Sequence, residues 1–403
     1  MNDAAANAVR PSVLPSSAED WLARVAALAP AMAAAGPEAD RARRLPEPLV
    51  DALHDQGFFR LLLPRAFGGA EVSLPTRLAV SEALALHDAS TSWCVVQANG
   101  CAMMAAYLDA KVAEAIWGRD PRAILAWGPG KAEARAVDGG YEVTLRISFV
   151  SGGRHANWFG AHCPVVERDG SVRRDADGEP ESRTVMFPAR LAPMIDNWNV
   201  IGLRGTGSDS FAADRVFVPE DHTVVREVAR LDPALAPLYR FSQYATYGIG
   251  FAGTALGIAR AFIDAFVPMT RAKQPRLVAT TLDKSAVVHD EVARAEARLS
   301  AARAFLVGET ERVWDAVAAS PGPPAVPQRV RLRLAATHAI QEAKAAVDAL
   351  YDLAGTDAIF AAGPFERRFR DMHTVAQQIQ GRKTHYQVVG AWMLGHPPDL
   401  NVI

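Results

Sequence analysis

The sequence predicts an α+β chain in three parts: a helical N-terminal region, a central β module and a C-terminal four-helix bundle. Three observations carry this. Tyr141, Val143, Leu145, Ile147 and Phe149 alternate with Glu142, Thr144, Arg146, Ser148 and Val150, the period of a strand with one buried face. Residues 165–167, 184–187 and 214–219 read the same way, with Asp169-Gly-Ser and Asp175-Ala-Asp-Gly as turns and Pro219 ending the last ladder. On either side of this module, apolar residues recur at helical spacing instead, and four long helical runs follow it. The divisions are a flexible arm over 1–16, an N-terminal helical domain over 17–122, a β domain over 123–228 and a bundle over 229–403.

In chain order, Ser16 or Ser17 caps a helix over 17–35 that Gly36-Pro37 ends, with a kink at Pro30. A second helix spans 45–57, with Leu49, Val50, Leu53 and Phe58 on its apolar face. Gly68-Gly69 marks a loop, and helices follow over 76–86, 91–108 and 110–117. Beyond the β module come a short helix over 231–238 and long ones over 244–266, 281–317, 328–353 and 369–394. Pro321-Gly-Pro-Pro makes the sharpest break between them.

With 403 residues, half of them hydrophobic, and a formal charge of −2, the chain builds no broad field for nucleic acid or an anionic membrane. A small-molecule or protein partner is expected. Cys94, Cys101 and Cys163 have neither zinc-type spacing nor an even count, so reduced thiols in a cytoplasm are expected. The first residues lack a signal peptide's apolar core. The uncharged runs 89–108 and 241–259 carry Ser, Thr, Asn, Gln and Gly, which suits buried helices better than membrane spans.

Generic motifs are lacking. Gly202-Leu-Arg-Gly-Thr-Gly-Ser208 has no P-loop lysine and precedes a strand. Neither Gly-x-Ser-x-Gly nor His-Glu-x-x-His occurs, and His155 and His162 have no carboxylate cluster nearby, so no metal is expected.

Several strings nevertheless stand in a specific order: Ala89-Ser-Thr-Ser-Trp93, Gly139-Gly-Tyr, Ser148-Phe-Val-Ser-Gly with His155-Ala-Asn-Trp158, Gly202 to Ser208, Val216-Phe-Val-Pro-Glu220, Gly250 to Arg260, and Phe369-Arg-Asp371. Together they resemble the acyl-CoA dehydrogenase superfamily over residues 17–395. Within it they are most similar to the two-component (group D) flavin-dependent monooxygenases, which hydroxylate phenols, indoles and sulfur heterocycles with flavin from a separate reductase.

The resemblance implies an acyl-CoA dehydrogenase-like fold with flavin between the β module and the bundle. It places the Ser151 hydroxyl near flavin N5, where it would stabilise a C4a-hydroperoxide, and Trp93, Phe149 and Trp158 beside or beneath the flavin. It also implies that Gly355-Thr356 reaches a neighbouring subunit's flavin and that Arg271 binds phosphate. Read without the resemblance, Ser151 is a serine capping its own turn, the aromatics are core and Arg271 is a solvated charge.

Two positions depart from the family pattern. Cys101 and Gln378 stand where the hydroxylases carry histidines, and these are the candidate substrate-side catalytic residues. Glutamine does not titrate, and cysteine has a reference pKa of about 8.5. The dehydrogenases' Tyr-Glu-Gly-Thr string appears as Ile379-Gln380-Gly381-Arg382, without its base, although an acid such as Glu366 could act from another helix.

The expected activity is hydroxylation of a small aromatic compound, with reduced FMN or FAD from an NAD(P)H:flavin reductase and O2 as co-substrate, by a cytoplasmic homotetramer. An acyl-CoA dehydrogenase, an amine N-hydroxylase and a non-catalytic homologue are the alternatives.

Overall fold

The computed structural model describes residues 14–176, 178–229, 231–400 and 403. Residues 1–13 of the expected arm lie outside these. Residues 14–16 are tied to the helical domain: Leu14 packs against its core, and the Trp21 indole donates to Pro15 O at 3.2 Å.

Helix α1 (Ala18–Ala42) starts where Ser17 Oγ accepts from Asp20 N at 3.1 Å. It does not stop at Gly36-Pro37, as the sequence suggested. Proline forfeits one helical bond, whereas a Cβ on Gly36 would lie 2.0 Å from the Arg367 guanidinium, so the glycine there admits a neighbour and is not a terminator. Helices α2 (Glu47–Asp55), α3 (Leu74–His87), α4 (Ala89–Ala102) and α5 (Ala110–Ala113) complete the domain. Asp88 caps α4 by accepting from Thr91 N at 2.7 Å, and every residue of α4 is buried.

Eight strands follow: β1 (Leu125–Ala126), β2 (Gly130–Val137), β3 (Gly140–Ile147), β4 (Trp158–Val166), β5 (Ser182–Pro188), β6 (Met194–Ile195), β7 (Ser210–Pro219) and β8 (Thr223–Val224). They form one sheet in the order β6-β7-β3-β2-β4-β5-β8, with β1 parallel to β4. Strand β2, which the sequence reading did not include, pairs with β3 through the two-residue turn Asp138-Gly139, where Gly139 has φ +77°.

Helix α6 (Arg226–Ala229) and a 3₁₀ turn over Pro237–Arg240 replace the short helix expected over 231–238. The bundle is α7 (Gln243–Ala272), α8 (Ala286–Ala318), α9 (Val326–Ala354), α10 (Glu366–Gln377) and α11 (Thr384–Met393). The single helix expected over 369–394 is thus two, because Gln378 is extended (φ −67°, ψ 151°) and its side chain accepts from Gln380 N at 2.7 Å, diverting the backbone.

Gly250, Gly253 and Gly257 let α7 lie against α3; a Cβ on Gly257 would sit 2.2 Å from Glu82 O. Helix α7 is long and apolar enough to cross a membrane, but 83% of its most apolar window is buried inside the protein. One core joins the helical domain to the bundle, a second lies under the sheet, and a third, containing Cys101, Trp117, Trp127 and Met186, bridges them.

Candidate active site

Trp93, Gln97 and Cys101 recur every four residues and so share one face of α4. That face meets the β module and α7 together. Trp93 Nε1 donates to Ser151 Oγ at 3.0 Å, and its ring stacks on Phe251 at 3.9 Å. Phe251 stacks in turn on Tyr247, one turn earlier on α7, at 5.5 Å. Gln97 Nε2 donates to Trp127 O at 3.2 Å and lies 3.6 Å from Cys101 Sγ, which is 3.5 Å from Tyr247 Oη. A continuous aromatic and polar wall therefore runs from Ser151 to Gly100, whose missing Cβ would be 2.3 Å from the Tyr247 ring.

Ser151 sits in a loop pinned to the glycine-rich segment 202–208. Val150 N donates to Asp209 O at 3.0 Å and Gly152 N to Thr206 O at 2.9 Å. Asp209, fully buried, accepts from Asn197 N, Trp198 N and Arg154 Nε at 2.9, 2.8 and 2.6 Å, so its charge is met from three sides. Ser151 Oγ lies 2.6 Å from Ser208 Oγ, which lies 2.7 Å from Thr206 Oγ1, whose hydroxyl donates to Leu203 O at 2.7 Å. With the Thr206 proton on that carbonyl, Ser208 donates to Thr206 and Ser151 donates to Ser208. Since Ser151 also accepts from Trp93, one of its two lone pairs is left over.

Beside it, Phe149 adopts φ +58° and is 61% exposed, edge-on to Trp198 at 6.0 Å. A non-glycine residue in the left-handed region stores about 1–3 kcal/mol, and here the strain turns an aromatic ring outward beside a 7%-exposed hydroxyl. No carboxylate is among the described hydrogen-bond partners of Trp93, Ser151, Cys101 and Tyr247.

The two expected substrate-side residues sit in different settings. Cys101 is fully buried, and burial pushes its thiol up to about 12; the same cause raises Tyr247 well above its usual range. Cys101 is a neutral wall residue and not an acid or base near pH 7. The Gln378 side-chain oxygen accepts from Gln380 N, which leaves its amide N–H groups as the part able to meet a substrate, while Gln380 itself is buried and accepts from Arg333 Nη1 at 2.5 Å. Glu366, the dehydrogenase-type alternative, is held in an ion pair with Arg370.

Trp158 packs on the bridging core that contains Cys101 and Trp127, and it stacks on His222 at 6.1 Å. Arg271 and Gly355-Thr356 lie elsewhere. Arg271 is exposed on the last turn of α7, about 30 Å along the axis from Phe251. Gly355 and Thr356 are exposed beside Lys273, whose Nζ donates to Ala354 O at 2.5 Å. These three serve a flavin only if another subunit brings one to them. His155 and His162 stay separate: His162 Nδ1 is 2.8 Å from Thr184 Oγ1, and no metal-type cluster occurs among the described residues.

Gln97, Trp127, Ser208, Tyr247 and Phe251 belong to the site but were not found from sequence. The i, i+4 spacing of Trp93, Gln97 and Cys101 was the available signal for Gln97. Ser208 and Phe251 lie inside the strings Gly202 to Ser208 and Gly250 to Arg260 that carry the resemblance, whereas Trp127 and Tyr247 lie in none of them.

Two family models match: "Acyl-CoA dehydrogenase, N-terminal domain" over residues 18–112 and "Acyl-CoA dehydrogenase, C-terminal domain" over 249–381. Indole-3-acetate monooxygenase of Pseudomonas putida is 31% identical over 366 residues, 90% of each chain. The flavin-dependent monooxygenase oxygenase subunit HsaA of Mycobacterium tuberculosis is 28% identical over 405 residues, 96% of this chain and 98% of the relative. XiaF of a Streptomyces species, solved with FADH2 and glycerol, superposes with a TM-score of 0.89 at 24% identity, over 95% of this chain and 97% of its own. The chain belongs to the acyl-CoA dehydrogenase superfamily and, within it, to the flavin-dependent monooxygenases.

Proposed function

We propose that this chain is the oxygenase component of a two-component system, taking reduced FMN or FAD from a separate NAD(P)H:flavin reductase and hydroxylating a small aromatic compound with O2. The observation that carries the reading is the pairing of the outward-turned Phe149 ring with Ser151, whose proton is committed to Ser208. Phe149 would support one face of the isoalloxazine, and the remaining Ser151 lone pair would accept the N–H that reduced flavin carries at N5. Bound reduced flavin supplies the electrons and the oxygen activation. The chain's own residues hold and dry the site: Trp93, Phe251 and Tyr247 close it with apolar rings, and the neutral Cys101 and Tyr247 place no charge beside it.

The FADH2-bound neighbour favours FAD, and the aromatic substrates named for relatives favour an aromatic ring here. Arg271, Gly355 and Thr356, far from Ser151, suit a homotetramer in which each copy contacts its neighbour's flavin. A cytoplasmic location fits three unpaired, buried cysteines.

The test is a single turnover with chemically reduced FMN or FAD, an aromatic panel and ¹⁸O2, read by mass spectrometry. One ¹⁸O atom in a hydroxylated product supports the proposal. Bleaching of oxidised flavin by an acyl-CoA, with no labelled product, would establish a dehydrogenase instead.

A further inference from the structure

Asp371 is a buried carboxyl to which the chemistry above gives no task. It sits on α10, 4% exposed, and no described cation lies within ion-pair distance of it: Arg367 is taken by Asp88 at 3.3 Å, and Arg370 by Asp40 and Glu366. Its hydrogen-bond partner is Leu203 N, which donates to Oδ1 at 2.6 Å. Burying a carboxyl with so little to meet it is costly, and an apolar side chain would fill the space without that cost.

Leu203 lies in the left-handed region, at φ +50° and ψ 34°, where a leucine is strained and needs outside support. Two consecutive residues of α10 supply it. Arg370 Nη1 donates to Ile201 O at 2.5 Å while Asp371 takes Leu203 N, so the helix grips the loop on both sides of Gly202. That glycine lies directly on α10: a Cβ there would be 2.1 Å from Arg370 O. The grip aims the carbonyl that follows. Leu203 O accepts from Thr206 Oγ1 at 2.7 Å, from Thr206 N at 3.1 Å and from Trp198 Nε1 at 3.1 Å.

These donors start two branches, and both end at the candidate flavin site. The Thr206 hydroxyl, with its proton on Leu203 O, sets the order of donors through Ser208 to Ser151, whose oxygen also accepts from Trp93 Nε1. The Trp198 ring, fixed by its own N–H, meets Phe149 edge-on at 6.0 Å. One backbone carbonyl therefore stands behind both residues, and a Leu203 that relaxed out of the left-handed region would turn it away from both.

We propose that Asp371 is a positioning residue for the oxygenation reaction: by holding Leu203 N it aims Leu203 O, and that carbonyl sets the Ser151 oxygen and the Phe149 ring at once. Asp371 acts through the loop and is not itself a catalytic residue. The assignment rests on the oxygenase reading above and adds the bundle's part in it.

Each branch carries its own reporter, the indole N–H of Trp93 or of Trp198, which ¹H–¹⁵N spectra of the flavin-free chain follow and W93F and W198F assign. Asp371→Ala should shift both indole resonances. Asp371→Asn, which keeps an acceptor for Leu203 N, should leave both near their wild-type positions, and Thr206→Val should shift Trp93 alone. In anaerobic titrations of reduced FAD, D371A should bind about tenfold or more weakly than wild type, and D371N within about threefold of it. An unmoved Trp93 indole in D371A or T206V, wild-type affinity in D371A, or a folded D371N weakened tenfold or more overturns the assignment; T206V and D371N keep the test decisive if D371A does not fold. Shifted indoles with no flavin bound by wild type would remove the oxygenase reading and leave the Leu203 relay standing. Unmoved indoles with flavin bound would do the reverse.

Discussion

Replacing Asp371 by asparagine should make the protein's stability less dependent on pH, and the structure sets the size of the effect. Asp371, on α10, is 4% exposed and accepts from Leu203 N at 2.6 Å, fixing the loop that carries Thr206 and Ser208. Burial pushes its carboxyl up from 3.8 to about 7; the Leu203 N–H pulls it down and Asp88 adds to the rise. The folded protein therefore keeps this proton to higher pH than the unfolded chain. It binds more protons between about pH 4 and pH 7, and stability falls as pH rises through that window. Three pKa units at about 1.4 kcal/mol each give about 4 kcal/mol across the window, of which about 3 kcal/mol falls between pH 5 and pH 8. The introduced amide keeps an acceptor for Leu203 N and cannot ionise. Urea melts followed by tryptophan fluorescence should show wild type and D371N close together at pH 5, with the variant the more stable at pH 8 by a few kcal/mol. A difference that does not change with pH, or a variant that loses ground as pH rises, would mean that the carboxylate is ionised in the fold and held by Arg367.

Other outcomes follow from the same geometry. Ser151→Ala removes the acceptor of the Trp93 indole and leaves a buried N–H unmet, at a cost of about 1–3 kcal/mol; thermal melts check this, and hydrogen peroxide released per reduced flavin oxidised should rise in the variant. With its thiol near 12, Cys101 is thiolate in only about one molecule in ten thousand at pH 8, so Ellman's reagent should leave the native protein unlabelled, and C101A should keep the wild-type pH profile. Gly257→Ala pushes a methyl to 2.2 Å from Glu82 O and should destabilise by about 1–3 kcal/mol, read as a lowered melting temperature.

The sequence carried the three-part architecture and the strand as far as Ile147, because a buried face repeats every two residues whatever surrounds it; it ran on too far to Phe149, which turns to φ +58° and outward while Val150 is buried instead. It hid β2, whose alternating residues are alanines, although Asp138-Gly139 is a hairpin signal. It misplaced the end of α1 and the break before α11, since Gly36 answers to Arg367 and Gln378 to a local backbone bond, both tertiary facts. In the site, Trp93, Phe149 and Ser151 were legible through resemblance. Their surroundings were not: Trp93 and Ser151 are 58 positions apart, and Cys101 and Tyr247 146 apart. Burial sets the chemistry of Cys101, and residue identity alone does not reveal burial.

The most direct measurement is an anaerobic titration of reduced FAD into wild type, Phe149→Ala and Ser151→Ala, followed by tryptophan fluorescence. A flavin lying on Phe149 with its edge at Ser151 requires binding to weaken about tenfold or more in F149A while the fold persists, since that ring is 61% exposed. Equal affinity in all three proteins would place the flavin somewhere else.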